Sequence, residues 1–194
     1  MKMSEPACPV ERLQPEDPDP LVSRAQQGDA GAWDALVRRH YPAVYRLAVR
    51  MMRHAQDAED AAQEAFFKAH RYLATYRRDS RFPTWLFTLA RNVIVDHLRR
   101  RARKAPTPFS AAGPGGAPAE APLTSERIAE SREAVEERIA KLDEDDRWVI
   151  LLVFMEGLSP KEASAVMGVS MNAVRIRLFR ALRRLRGQEG VADV

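Results

Sequence analysis

Cysteine is nearly absent from this chain. The one present, Cys8, lies in a proline-rich acidic leader, so neither a disulfide nor a cysteine-cluster zinc site can form within the chain. Long apolar runs are lacking as well. The longest, WVILLVFM at 148–155, is far short of the ~20 residues that cross a bilayer. The leader has no basic start followed by an apolar stretch, so it does not read as a secretory signal. There is no glycine-rich phosphate loop and no nucleophile elbow, and His40, His54, His70 and His97 show no metal-ligand spacing. Sustained β alternation is missing throughout, and no repeat is evident. Even net charge is small: 31 basic against 27 acidic residues give +4. These absences lead to an expectation of a cytoplasmic, all-α protein with no cofactor, no metal, no membrane insertion and no enzymatic activity.

What is present is unevenly distributed. The 194 residues suffice for one fair-sized core or two small ones, and the 45% apolar content is ordinary for a soluble globular protein. Residues 126–147 hold nine acids and five bases, whereas 175–186 hold six arginines and no acid. Such asymmetry favours a polyanionic partner for the basic segments. Residues 105–122 carry five Pro, three Gly and a single charge, Glu120, the composition of a flexible tether. Its reach is at most roughly 60 Å when extended and nearer 23 Å as a relaxed coil. The expected organisation is a disordered leader at 1–19, a helical unit at 20–104, the tether at 105–122, a second helical unit at 123–187 and a short tail at 188–194.

Three stretches carry the chemistry. In RFPTWLFTLARNVIVDHLRRRARK (81–104), winding at about 100° per residue places Leu86, Leu89, Ala90, Val93, Ile94 and Leu98 on one arc, with Phe87 at its edge. The opposite arc holds Trp85, Thr88, Asn92, Asp96 and Arg99, with Arg91 alongside. A solvated face would be rich in Lys and Glu; short hydrogen-bonding groups, an arginine and an indole instead suit base edges and phosphates. Arg99, Arg100, Arg101, Arg103 and Lys104 then supply charge for a phosphate backbone.

The preceding DAEDAAQEAFFKAHRYL has Asp57 as an expected N-cap, with Asp60 three residues on. Ala61, Ala62, Ala65, Phe66, Ala69, Tyr72 and Leu73 share one face. Phe67 falls on the other, beside Asp60, Gln63, Glu64 and Arg71. An exposed phenylalanine ringed by polar groups is a modest sign of a protein interface, though single exposed aromatics are also ordinary on protein surfaces.

The third stretch is LSPKEASAVMGVSMNAVRIRLFRALRRLR. Ser159-Pro160-Lys161-Glu162 is a capping box with proline at the first helical position. A short helix ends at Gly168, and Val169-Ser170 leads into a second helix whose buried stripe is expected to be Val174, Leu178, Leu182 and Leu185. Asn172, Arg175, Ile176, Arg177, Phe179, Arg180, Arg183 and Arg184 lie off that stripe. A short amphipathic helix, a glycine turn and a basic second helix make a helix-turn-helix.

With these motifs in order, the chain resembles the extracytoplasmic-function group of the sigma-70 family of bacterial RNA polymerase sigma factors, over roughly residues 20–101 and 123–186. DAEDAAQEAFFKAHR looks like the family's core-polymerase-binding segment, FPTWLFTLARNVIVDHLRRR like its promoter −10 segment, and the stretch from Leu142 to Arg186 like its −35 helix-turn-helix. The resemblance implies binding to core RNA polymerase, on the clamp helices of the largest subunit, through Asp57, Asp60, Gln63, Glu64 and Phe67. It implies −10 contacts from Arg77, Arg78, Trp85, Thr88, Asn92, Asp96, Arg99 and Arg100. It implies −35 contacts from Lys161, Asn172, Arg175, Ile176, Arg177, Phe179, Arg180 and Arg183. Ile176 stands where the family commonly has a small polar residue. The loop Tyr76 to Phe82 would wall a pocket for a base displaced from the −10 element, since extruding a base needs a compensating site. A separate anti-sigma protein is implied as the regulator. The competing reading, a stand-alone helix-turn-helix regulator, accounts for the second unit and leaves the first without a task.

Overall fold

The computed structural model describes residues 19–104 and 135–186. Residues 1–18 of the leader, the 105–122 tether, the first part of the expected second unit at 123–134 and residues 187–194 lie outside these residues. Asp19, expected in the disordered leader, instead caps α1 by accepting from the Leu21 amide at 3.0 Å. Among the described residues every regular element is helical. The first unit comprises α1 (Pro20–Gln26), α2 (Ala30–Met52), α3 (Ala55–Tyr72) with a 3-10 turn at Leu73–Thr75, and α4 (Phe82–Lys104). The second comprises a helical stretch at 135–140 (α5), α6 (Glu144–Ile150) with a π turn at Leu151–Met155, α7 (Pro160–Met167) and α8 (Met171–Leu185).

Local chemistry sets most of the boundaries. Asp29 caps α2 by accepting from the Ala32 amide at 3.0 Å. Arg53 ends it at φ 55°, a left-handed conformation found at helix ends. The start of α3 departs from expectation. The helix begins at Ala55, and the His54 imidazole, not Asp57, accepts from a first-turn amide, that of Asp57 at 3.3 Å. Asp57 sits one turn inside, where its charge still favours the helix N-terminus. The capping box of α7 forms as expected, with Ser159 and Glu162 bonded reciprocally, and Gly168 ends the helix at φ 66°.

The core of the first unit is the junction of α2, α3 and α4. Along α3 the buried positions are Ala58, Ala61, Ala62, Ala65, Phe66 and Ala69; five alanines in this face bring neighbouring backbones close. Tyr72, expected inside, is 46% exposed, because the chain tightens into the 3-10 turn and Leu73 takes the inward position. In α4, Leu86, Phe87, Ala90, Val93 and Ile94 are buried, while Leu89 and Leu98 are half-buried. In the second unit Trp148, Val149, Ile150, Leu151 and Leu152 are buried. The π turn then carries Phe154 and Met155 outward. Each buried aliphatic residue contributes about 1.5–3 kcal/mol.

The two units touch. Thr84 of α4, 2% exposed, donates its hydroxyl to Glu162 at 3.2 Å, and Arg81 lies 3.6 Å from the same carboxylate. The Arg91 guanidinium lies over the Trp148 ring at 5.7 Å. Arg46 and Arg50 of α2 approach Glu156 and Glu136 at 3.7 and 3.1 Å. Arginines of the first unit thus meet acids of the second.

Candidate nucleic-acid interface

Helix α8 is fixed by Ser170, whose hydroxyl accepts from the Ala173 amide at 3.2 Å. Its fully buried positions are Val174 and Ala181, with Leu178, Leu182 and Leu185 half-buried. The inward stripe is therefore rotated slightly from the expected one, toward the side carrying Arg177, Arg180 and Arg184. Those three side chains form a ladder against α6. Arg177 pairs with Asp145 at 2.6 Å, Arg180 with Asp146 at 2.6 and 2.9 Å, and Arg184 with Asp143 at 2.6 Å. Asp146 is completely buried, so it needs a cation on both chemical and geometric grounds. Hydrogen bonding to Asp146 raises the Arg180 pKa above the ordinary arginine value, and hydrogen bonding from Arg184 holds Asp143 below the usual carboxylate range. Arg177 and Arg180, expected as −35 contacts, are engaged in holding the helix-turn-helix together. Asp143, Asp145 and Asp146 are the site residues that pattern reading missed.

The rest of α8 points outward. Asn172 and Arg175 are exposed, as is Lys161 on α7. Ile176 is 56% and Phe179 65% exposed. The guanidinium of Arg183 lies over the Phe179 ring at 5.9 Å. An apolar pair flanked by guanidiniums can meet thymine methyls, guanine edges and phosphates together.

On α4, Asn92, Asp96, Arg99 and Arg100 are exposed in one stripe. Trp85 and Thr88 are only half-exposed. Trp85 packs against Tyr76 and Phe82 at 4.8 and 5.6 Å, and the Thr88 hydroxyl donates to the Thr84 carbonyl at 2.8 Å. The stripe therefore grades from an aromatic end to a basic end.

The loop feeding the aromatic end is anchored from a distance. The Gln26 amide donates to the carbonyls of Leu73 and Tyr76 at 3.0 and 2.8 Å. Its oxygen accepts from Arg78 at 2.8 Å, and Arg78 also donates to the Ser23 hydroxyl at 2.8 Å. Arg78 has φ 63°. Arg77 is exposed, and the Tyr76 hydroxyl donates to the Ser80 carbonyl. Gln26 and Ser23 carry no sequence signal; only the fold brings them here.

Helix α3 divides into two roles. Phe67, 70% exposed, stands with exposed Asp60 and Gln63 on the outer face. Glu64 and Asp57 turn toward α4 instead. Glu64 meets Lys68 and His97, both at 2.8 Å, and Asp57 meets Arg101 at 3.2 Å. Hydrogen bonds, first from Lys68 and then from His97, hold Glu64 below the usual carboxylate range. These two expected polymerase contacts thus serve the α3–α4 junction. A cleft of about 580 Å³ separates Arg91, Val95 and Arg99 of α4 from Asp143, Glu144 and Asp145. Among the described residues no group of acids, histidines and cysteines could hold a metal ion, and no helix is long and apolar enough to cross a membrane.

The family model for sigma-70 region 2 matches residues 36–104, and that for sigma-70 region 4 matches residues 132–185. The RNA polymerase sigma-H factor of Pseudomonas aeruginosa is 38% identical over 177 residues, covering 87% of this chain and 92% of its own. The ECF RNA polymerase sigma-E factor of Escherichia coli is 37% identical over 169 residues, covering 83% and 88%. Among solved structures, CnrH in complex with the cytosolic domain of CnrY matches with a TM-score of 0.64 at 30% identity, covering 87% of this chain and 94% of that one. The sigma factor RpoE in complex with the anti-sigma factor NepR from Bartonella quintana shares the fold, with a TM-score of 0.64 at 23% identity over 79% and 94% of the two chains.

Proposed function

The chain belongs to the sigma-70 family of RNA polymerase sigma factors, in its extracytoplasmic-function group, and we propose from this how its surfaces divide the work of starting transcription. The first unit, 20–104, binds core RNA polymerase at the clamp helices of the largest subunit through the Phe67 face of α3 and meets the −10 element with the outward stripe of α4. The second unit, 123–187, reads the −35 element as duplex with the outward side of α8. Asn172, Arg175, Ile176, Phe179 and Arg183 are the base and backbone contacts there, with Lys161 on a phosphate. The polymerase performs the chemistry, and this chain is not an enzyme. It acts in the cytoplasm and is held in check by a separate anti-sigma protein.

The observation that carries this reading is the pairing of two different exposed faces. One is a stripe of Asn92, Asp96, Arg99 and Arg100; the other is a helix-turn-helix whose exposed apolar residues sit between arginines. A regulator that binds duplex alone needs only the second. The test is gel filtration of the protein with core polymerase, followed by footprinting of the complex on promoter DNA. Co-elution with protection at both elements supports the assignment. Tight, specific duplex protection by the protein without polymerase would favour the stand-alone regulator.

A further inference from the structure

The loop between α3 and α4 has almost no interior of its own. Of residues 76–81 only Tyr76 is buried, while Arg77, Arg78 and Asp79 are exposed. Besides the bond from the Tyr76 hydroxyl to the Ser80 carbonyl, it is held by hydrogen bonds to α1, about fifty positions away in sequence. The Leu73 carbonyl accepts from the Tyr76 amide at 3.1 Å, closing the 3-10 turn, and the Tyr76 carbonyl lies just past that turn. Both carbonyls also accept from the single side-chain amide of Gln26, which links them across the loop at 3.0 and 2.8 Å. The other polar atom of that side chain, its oxygen, accepts from Arg78 at 2.8 Å, and Ser23 accepts from the same guanidinium nitrogen at 2.8 Å. Arg78 is thereby held at φ 63°, a conformation that L side chains other than Asn and Asp seldom adopt without outside support. The α1 residues lie before the 36–104 segment matched by the family model.

We propose that Gln26 is a positioning residue for opening the −10 element, with α1 acting as a splint for the loop that receives a displaced base. This rests on the reading that the α4 stripe meets the −10 element. The loop abuts the aromatic end of that stripe, where Tyr76 and Trp85 rings lie 4.8 Å apart. A base leaving the stack needs a stacking surface and polar edges already in place. A loop ordered only on contact would lose conformational entropy at the moment the duplex is also being opened. Gln26 removes that cost in advance, without touching DNA.

The experiment compares run-off transcription by core polymerase with Gln26→Ala and with the unaltered chain. Two templates carry the same promoter, one fully duplex and one with the −10 bases mismatched in advance. The splint predicts a loss of about tenfold in open-complex rate on the duplex, the scale of one or two well-placed hydrogen bonds, and near-normal rates on the mismatched template. Ser23→Ala, which removes one of the two acceptors of Arg78, gives a smaller loss with the same template dependence. Gln26→Glu keeps the side chain's size and its acceptor for Arg78 but loses the two donors, so it shows the template dependence even if the alanine variant folds poorly. Equal losses on both templates would make Gln26 a merely structural residue and overturn the proposal, as would no loss on either. Absence of any transcript with the unaltered chain would instead overturn the underlying reading of α4.

Discussion

At the scale of single residues, the proposed base-edge readers and backbone cations differ in side-chain chemistry. Asn92 is exposed and its amide can pair with a base edge, a contact worth roughly 1–3 kcal/mol of discrimination. Asn92→Ala is expected to change the ranking of −10 variants in a transcription assay. Arg103, also exposed, sits past the end of the stripe. Arg103→Gln should weaken all promoters alike and flatten the salt dependence; matching promoter profiles for the two variants would reject the division. On α8 the contrast is between Phe179 and Arg180. Phe179 is 65% exposed, so Phe179→Ala should change stability by no more than about 0.5 kcal/mol while lowering −35-dependent transcription. Arg180→Ala leaves the buried Asp146 with only the 3.5 Å contact from Arg184. A thermal melt should show a loss toward the lower end of the roughly 3–5 kcal/mol typical of a broken buried pair. From sequence alone both residues read as DNA contacts, because periodicity shows that Arg180 lies off the apolar stripe and says nothing of an aspartate 34 positions earlier.

At the scale of elements, legibility follows the range of the interaction. The capping box of α7 and the Gly168 stop were readable because a cap is decided within four residues. The pattern places the cap of α3 at Asp57; it lies three residues earlier, since His54 takes a capping role usually held by Ser, Asp or Asn. The ion-pair ladder between α6 and α8, and the Glu64–His97 contact between α3 and α4, needed the tertiary fold. These junctions carry a pH signature. Asp143 and Glu64 titrate below the ordinary carboxylate range in the folded chain. Their contribution is therefore complete above the unfolded value and lost as pH falls through the folded one. Thermal midpoints should hold on moving down to the ordinary carboxylate range and fall below it. Glu64→Gln should flatten the first part of that fall; an unchanged profile would remove Glu64 from the junction. The outer face of α3 makes a different demand. Phe67→Ala should reduce capture of core polymerase and leave far-UV circular dichroism unchanged, since Phe67 is 70% exposed. Undiminished capture would place the polymerase contact on another face.

At the scale of the molecule, the two-unit, all-helical plan was legible because composition changes abruptly at 105–122 and hydrophobic period at 81–104 and 159–186 is plainly helical. Contact between the units was not legible. It is made by α4 packing against α7, with pairs such as Thr84 with Glu162 and Arg91 with Trp148, none of which alters a local pattern. If the tether serves only to link, scrambling residues 108–119 should keep most transcription, and its abolition in a folded variant would assign the segment a recognition role. As a member of the sigma-70 family, this chain gives core RNA polymerase its choice of promoter. The most direct measurement is transcription of a pool of genomic fragments by core polymerase, with and without the protein, read out by sequencing RNA 5′ ends. Start sites that appear only with the protein and share two upstream motifs, about two DNA turns apart, are expected. Identical start sites in the two reactions would contradict that role.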